Sequence, residues 1–215
     1  MTMRARGSGP AEPVPATAKG EATRAFLLKT AARVFAERGY TGTALSDLIA
    51  ASGLTKGAFY FYFPSKAALA LAVLRDQQER WLHGVSERVL AAGTAIEQFR
   101  ALTPAMLDLL ATEPGAWSIT RLTREMAADP ATAEAVVKPM AGWVELIADI
   151  IRRAQAGGDI RRELDPHAVA VVLVGAFDGL KTLTDVLDPG AEASRLFTRR
   201  AEVLLDVVER GLLGD

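Results

Sequence analysis

Apolar residues recur along most of this chain at the spacing of a helix. Leu28, Ala32 and Phe35 fall at i, i+4 and i+7 and draw one apolar stripe, which predicts a helix from about Thr23 to Gly39, where the glycine stops it. Leu45, Leu48 and Ile49 give a short second helix its apolar face, with Thr43 read as its N-cap and Ser52-Gly53 as its end. Thr55 caps a third helix and Pro64 interrupts. Ser65 caps a long fourth helix that starts at Lys66 and runs through the 80s, with Leu69 and Val73 turned inward.

Beyond Gly93 the same period predicts helices near 95–112, 115–128, 131–156, 166–187 and 191–213. Glu113-Pro114, Asp129-Pro130, Gly157-Gly158 and Asp188-Pro189-Gly190 separate them. The Val-rich run 169–174 has the composition of a buried strand. Asp165-Pro166 before it, however, is an N-cap followed by a proline at the first helical position, so a deeply buried helix is expected. There is no hairpin signal and no internal repeat, and the predicted class is all-α.

Met1 to about Gly20 is rich in Gly, Pro and Ala and has no apolar period, so it cannot bury enough surface to offset its ordering entropy. Residues 1–20 are read as a flexible basic arm: either an inert tail, or one whose Arg4, Arg6 and Lys19 follow a DNA backbone. Hydrophobic residues make up 50% of the chain and charged ones 24%, a globular composition. Cysteine is absent, which excludes disulfides, thiolate catalysis and Cys-ligated zinc. No export signal and no uncharged apolar stretch of ~18 residues is evident, so a cytoplasmic protein that avoids membranes is expected.

The formal net charge of −1 hides a division. Residues 1–80 carry 11 Lys/Arg against 6 Asp/Glu, a net of +5; residues 81–215 carry 14 against 20, a net of −6. A basic head on an acidic body suits a protein that meets a polyanion on one side only.

Within that head, two short helices flank Ser52-Gly53-Leu54, with glycine where a tight turn between crossing helices needs positive φ. This is helix-turn-helix spacing. The second short helix opens Thr55-Lys56-Gly57: a hydroxyl, a cation and a residue without a side chain, all suited to close approach to a phosphate backbone. The run Phe59-Tyr60-Phe61-Tyr62-Phe63 is too dense for one helix face, so some of its rings must point outward. Tyr60 and Tyr62 carry hydroxyls that favour a wet partner.

The pattern Phe35-x3-Gly39-Tyr40-x2-Thr43, followed by Leu48-Ile49-Ala50-x2-Gly53-Leu54-Thr55-Lys56-Gly57-Ala58-Phe59-Tyr60-x2-Phe63-x2-Lys66-x2-Leu69, resembles the signature of TetR (tetracycline repressor) family regulators over about 45 residues. The resemblance implies an N-terminal three-helix helix-turn-helix domain over 21–65 and a helical effector-binding and dimerisation domain over 66–215. It also implies that Thr43, Thr55, Lys56, Gly57, Tyr60, Tyr62 and Lys66 lie at the surface that meets double-stranded DNA. The family often carries His where this chain has Tyr62. The aromatic run, together with the isolated Trp143, is similar to the γ-butyrolactone autoregulator receptors within the family.

In the body, Trp117 and Trp143 fall in the middle helices where a cavity would be enclosed. Met106, Leu122 and Met126, with Ile147, Val174 and Phe177, complete an apolar lining of the kind that holds a small-molecule effector. Taken singly, each also reads as ordinary core. Asp178, Lys181 and Thr182 are candidates for polar discrimination or for solvated and interfacial roles.

The last two helices carry more apolar surface than one subunit readily covers, including Val172, Leu183, Leu196, Val203 and Val207, which points to a homodimer. A two-fold dimer predicts a palindromic operator with half-sites in successive major grooves, ~34 Å apart or a multiple of that. The expected function is a repressor released from DNA by an apolar or amphipathic effector. The alternative keeps the DNA-binding head but gives the body a protein-interaction role without a small ligand. An enzyme is not expected: His83 and His167 are the only histidines, hydrolase, P-loop and dinucleotide motifs are lacking, and neither a metal nor a cofactor is called for.

Overall fold

A computed structural model describes residues 17–112, 116–188, 190 and 192–213, leaving aside the side chains of 116–120, 138 and 139. Among the described residues the chain forms α1 (Ala18–Arg38), α2 (Leu45–Ser52), α3 (Lys56–Tyr62), α4 (Lys66–Leu90), α5 (Ala95–Thr112), α6 (Ala116–Ala127), α7 (Ala133–Gly157), α8 (Pro166–Leu187) and α9 (Ala193–Leu212). The all-α expectation holds; the sole β-type pairing among these residues is an isolated bridge between Ile160 and Leu213.

Helix boundaries follow local chemistry. Thr55 and Ser65 accept the amides of Ala58 and Ala68 at 3.2 and 3.0 Å, and Asp165 accepts that of Ala168 at 2.6 Å. The first helix starts earlier than expected. Thr17 accepts the amide of Gly20 at 3.2 Å, so α1 already includes Ala18, Lys19 and Gly20, whose composition places them at the end of the arm. Residues 1–16 lie outside the described part.

Thr43 also departs from expectation, for the N-cap position of α2 falls on Ala44, whose amide is accepted by Asp47 Oδ2 at 2.9 Å. The Thr43 hydroxyl donates instead to the carbonyl of Gly39 at 2.6 Å. That bond closes the loop behind α1.

Two cores form, and α4 runs through both. The first gathers Leu27 and Phe35 of α1, Leu48 of α2, Phe59 of α3 and Leu69 and Leu74 of α4. Leu122 and Met126 of α6 and Val136 of α7 join it, so the head is completed by residues far along the chain. The second core lies further out: Val85 and Val89 of α4 pack with Phe99 of α5 and Ile147, Ile150 and Ile151 of α7. Burying a side chain such as Phe59, fully enclosed in the first core, contributes about 1.5–3 kcal/mol.

Helix α8 is not the deeply buried element its valines predicted. Only Ala170 and Thr184 are fully enclosed in it, while Val171 and Val172 face outward. With Leu183, Val186 and Leu187 of α8 and Val203 and Val207 of α9 they leave large apolar side chains exposed along both helices. A helix with apolar residues all round that lies at the edge of a subunit has a second partner to meet.

Candidate nucleic-acid interface and ligand cleft

The turn before α3 is set by Gly53, at φ 66° and ψ 6°, a left-handed conformation that glycine adopts without steric cost. It turns the chain so that α3 lies across the outer side of the head. Phe59 and Phe63 anchor α3 with no accessible surface at all. The opposite side therefore faces out: Thr55, Lys56, Gly57, Tyr60 and Phe61 are all exposed, Tyr60 by 41% and Phe61 by 61%. The dense aromatic run thus divides, as the helical period requires.

Gly57 is instructive because, its own turn of helix aside, no described part of the chain approaches within 4 Å of the position a Cβ would take. A helical glycine is about 0.8–1.0 kcal/mol less favourable than alanine, and here the fold itself gives no reason for one. Its bare surface sits beside Lys56.

Three of the expected surface residues behave differently. Thr43 is 1% exposed, held by its bond to Gly39. Lys66 turns inward: Nζ donates to the carbonyls of Tyr40 and Thr43, both at 3.0 Å, and lies 4.2 Å from the centre of the Tyr40 ring. It ties the start of α4 to the α1–α2 turn, satisfying carbonyls that no helix uses. Tyr62 is half-buried against the head core, edge-on to Phe61 at 5.2 Å. The exposed Phe61 is the surface residue the sequence left unassigned, since a period count over five successive rings does not say which ring wins the core.

The body grips the head at the α1–α2 turn. Glu125 of α6 accepts the Thr41 amide at 2.9 Å and is paired to Arg121 at 2.8 Å, and Tyr40 donates to Asp129 at 3.2 Å. Burial raises the Glu125 carboxyl, but hydrogen bonds from Thr41 and Arg121 outweigh it and hold the group below its usual value. Tyr40 is pushed the other way, by burial first and then by its bond to Asp129 and that carboxylate's charge.

Further out, α5, α7, α8 and α9 enclose a cleft of about 450 Å³, counting its open mouth. Met106, Trp143, Ile147, Val174 and Phe177 line it together, as the sequence brought them together. Leu122 and Met126 do not reach it. They face the head and belong to the first core, because the helical phase of α6 that puts Arg121 and Glu125 on the turn directs 122 and 126 towards α1 and α4. The Trp117 side chain lies outside the described residues.

Phe99, Thr103 and Met106 stand at i, i+4 and i+7 of α5, a stripe that the sequence displays and that marks this wall of the cleft. Phe177 is braced edge-on by the buried Phe197 of α9 at 5.0 Å. Thr182 is engaged elsewhere, accepting from Arg124 of α6 at 2.7 Å, and Lys181 pairs with Asp185. His83 pairs with Glu87 on an exposed face. No group of three metal-ligating side chains occurs among the described residues, and none of their helices is singly long and apolar enough to cross a membrane.

A three-helix head that presents α3 outward, set on a helical body with an apolar cleft, defines a helix-turn-helix DNA-binding regulator. Residues 27–73 match the family model for bacterial regulatory proteins of the tetR family, and residues 90–178 that for the tetracyclin repressor-like C-terminal domain. The full-length structure of TylP, a TetR regulator from Streptomyces fradiae, is 32% identical, with a TM-score of 0.67 over 91% of this chain and 89% of that one. The chain belongs to the TetR family of transcriptional regulators and is not an enzyme. Among other relatives, the probable acrEF/envCD operon repressor of Escherichia coli K12 is 28% identical, over 74% of each chain. The A-factor receptor protein of Streptomyces griseus is 24% identical over 74% of this chain, which spans about half that protein's length, 54%.

Proposed function

We propose that this chain is a cytoplasmic, homodimeric repressor that leaves a palindromic operator when an apolar or amphipathic effector enters the body. The observation that carries the DNA-binding part is the division of α3: Phe59 and Phe63 sealed in the core, Lys56, Gly57, Tyr60 and Phe61 turned out. Thr55, Lys56 and Gly57 meet the phosphate backbone, and Tyr60 meets a phosphate or a base edge. Tyr62 supports that contact from beside the core, and Thr43 and Lys66 act by fixing the α1–α2 turn. Residues 21–65 serve as the reading head and 66–215 as the effector-binding and dimerising body, with α4 common to both cores. The A-factor receptor among the relatives supports a place near the γ-butyrolactone receptors.

The cleft supports the effector reading, since its lining is apolar and aromatic, as the walls of small-molecule sites are. Two polar contacts link α8, which forms one wall of the cleft, to the head by way of α6. Arg124 joins α6 to Thr182 on α8, and Glu125, one residue on, holds Thr41. A ligand that repacks α8 thereby moves the turn that positions α2 and α3. To take such a switch from 1:99 to 99:1 needs ~5.5 kcal/mol of differential affinity.

Fluorescence-anisotropy titration against the DNA upstream of its own gene, at two salt concentrations, tests the reading. Tight binding that weakens steeply with salt, and weakens further in Lys56→Ala, is the expected result. Binding no tighter than to random DNA, followed by a random-site selection that yields no palindrome, would overturn it.

A further inference from the structure

Between the two cores lies a layer that neither core explains. Along α4, Leu74 belongs to the head core and Trp81 and Val85 to the outer one; Gln77 and Gln78 come between them. Along α7, Val136 belongs to the head core and Trp143 to the outer one, with Met140 between. On α6, Thr123 lies between Leu122 and Met126 of the head core, on a side of the helix away from Arg121 and Glu125. The three helices pack on one another, and Gln78 Nε2 reaches Met140 Sδ at 3.6 Å, which brings α4 and α7 together at this level.

Gln77 Oε1, Gln78 Oε1 and Thr123 Oγ1 are buried and meet no hydrogen-bonding group of the chain. Each such atom is destabilising if nothing satisfies it, and native folds rarely keep three without a use. Charge is not the explanation, because nearby Asp76 and Arg80 pair with each other and Arg121 with Glu125.

Met140, Trp143 and Ile147 stand at i, i+3 and i+7 of α7, and the last two line the apolar cleft. Through Gln78 and Met140 the polar residues of α4 thus lie one turn of α7 beyond the cleft wall at Trp143, on the side of the head core. We infer that Gln77, Gln78 and Thr123 form the polar pole of the effector site, and that they select an uncharged ligand carrying an O–H or N–H donor at one end of an apolar body. Two amide oxygens can only accept, so the ligand must donate. This rests on the effector reading above and gives that effector its chemistry. It also places the ligand's polar end against the head core, where filling it shifts α4 relative to α6.

Two isomeric probes separate donor from shape: 1-nonanol and methyl octyl ether share composition and length, and only the alcohol donates. Calorimetric titration of the full chain is expected to show the alcohol binding about tenfold more tightly. In Thr123→Val with Gln78→Met the preference should fall to about one, while thermal stability holds or rises because unpaired polar atoms have been replaced by apolar ones of similar size. Equal affinities for the two probes in the wild type, a preference that survives the double substitution, or no binding of either probe overturns the inference. Anisotropy of the upstream DNA complex with each probe is read in parallel. Binding with the expected preference but without DNA release would leave the polar pole standing and count against the effector-released repressor instead.

Discussion

The carboxylate of Glu125 accepts the backbone N–H of Thr41 at 2.9 Å, across 84 residues of sequence. That bond fixes the α1–α2 turn from the body side, while Lys66 fixes it from the α4 side through the carbonyls of Tyr40 and Thr43. The orientation of α3 is thus set by a turn with two separate holds, one of which belongs to the helix that also touches α8.

Gly39 makes the hold possible. It sits at φ 74° and ψ 174°, a region essentially reserved for glycine, and an added Cβ would fall 2.5 Å from Glu125 Oε1 and 2.6 Å from Arg121 Nη2. Gly39→Ala is expected to destabilise the chain by about 1–3 kcal/mol from backbone strain alone. Thermal unfolding checks this. An unchanged midpoint would mean that the turn can relax and that the hold on Thr41 is dispensable.

The same hold carries a pH signature. Because the folded Glu125 carboxyl lies below its ordinary value of 4.5, its contribution to stability is present above that pH and is lost as pH falls through the lower, folded value. Glu125→Gln should therefore be less stable than wild type at neutral pH, with the gap closing as pH falls below 4.5 and through the lower, folded value. Tyr40 behaves oppositely at the alkaline end: raised above 10.0, its bond to Asp129 contributes below that value and is lost as pH rises through the folded one. Parallel denaturation curves between acid and neutral pH decide the first point, and a constant gap would rule it out.

Much of this was legible in the amino-acid order. Thr55 and Ser65 before apolar runs, Gly39 and Gly53 after them, and Asp165-Pro166 announced helix ends to within a residue or two, because capping is local chemistry. What failed was not local. Thr43 looks like a cap until its hydroxyl is seen to donate back to Gly39 and the N-cap position passes to Ala44, and Leu122 and Met126 look like cleft residues until the phase of α6 is fixed by the Glu125–Thr41 contact. Lys66 has the same composition-level meaning as Lys56; only the fold shows that one meets carbonyls and the other solvent. The polar layer of Gln77, Gln78 and Thr123 was invisible for a related reason, since burial of a glutamine is a property of its neighbours.

The two lysines should separate in solution. On the proposed interface Lys56→Ala removes a phosphate contact, so operator affinity should fall and the slope of log affinity against log salt should shrink by about 1, with little change in thermal stability. Lys66→Met removes two carbonyl partners and is expected to lower stability by about 1–3 kcal/mol while leaving the salt slope as it was. A salt slope that responds equally to both substitutions would place Lys66 on the DNA after all.

Gly57 offers a trade between stability and affinity. With open space around its Cβ position, Gly57→Ala should stabilise α3 by about 0.5–1 kcal/mol, as alanine does in a helix interior. On the proposed interface the added methyl stands where the duplex backbone approaches, and operator binding should weaken. Higher thermal stability with tighter or equal binding would show that the bare surface at Gly57 faces away from DNA.

The outer face of α8 and α9 supplies the last test. Leu183 is 58% exposed in the single chain, and its neighbours Val172, Val186, Val203 and Val207 are more so. Such a surface is too apolar to leave in water and lies far along the chain from α3, so a charge placed on it should alter assembly without touching the reading head. Leu183→Glu would bury an unpaired carboxylate at a two-fold contact, twice over by symmetry, which corresponds to a rise of at least about a hundredfold in the dimer dissociation constant. Sedimentation velocity should then find monomer at micromolar protein. Helix content should be preserved, because the substituted side chain supports no contact within its own subunit's core. Operator affinity should fall with the dimer, since each head alone reads one half-site. A variant that remains dimeric would move the interface elsewhere and leave the exposed valines of α8 and α9 to be explained by another partner.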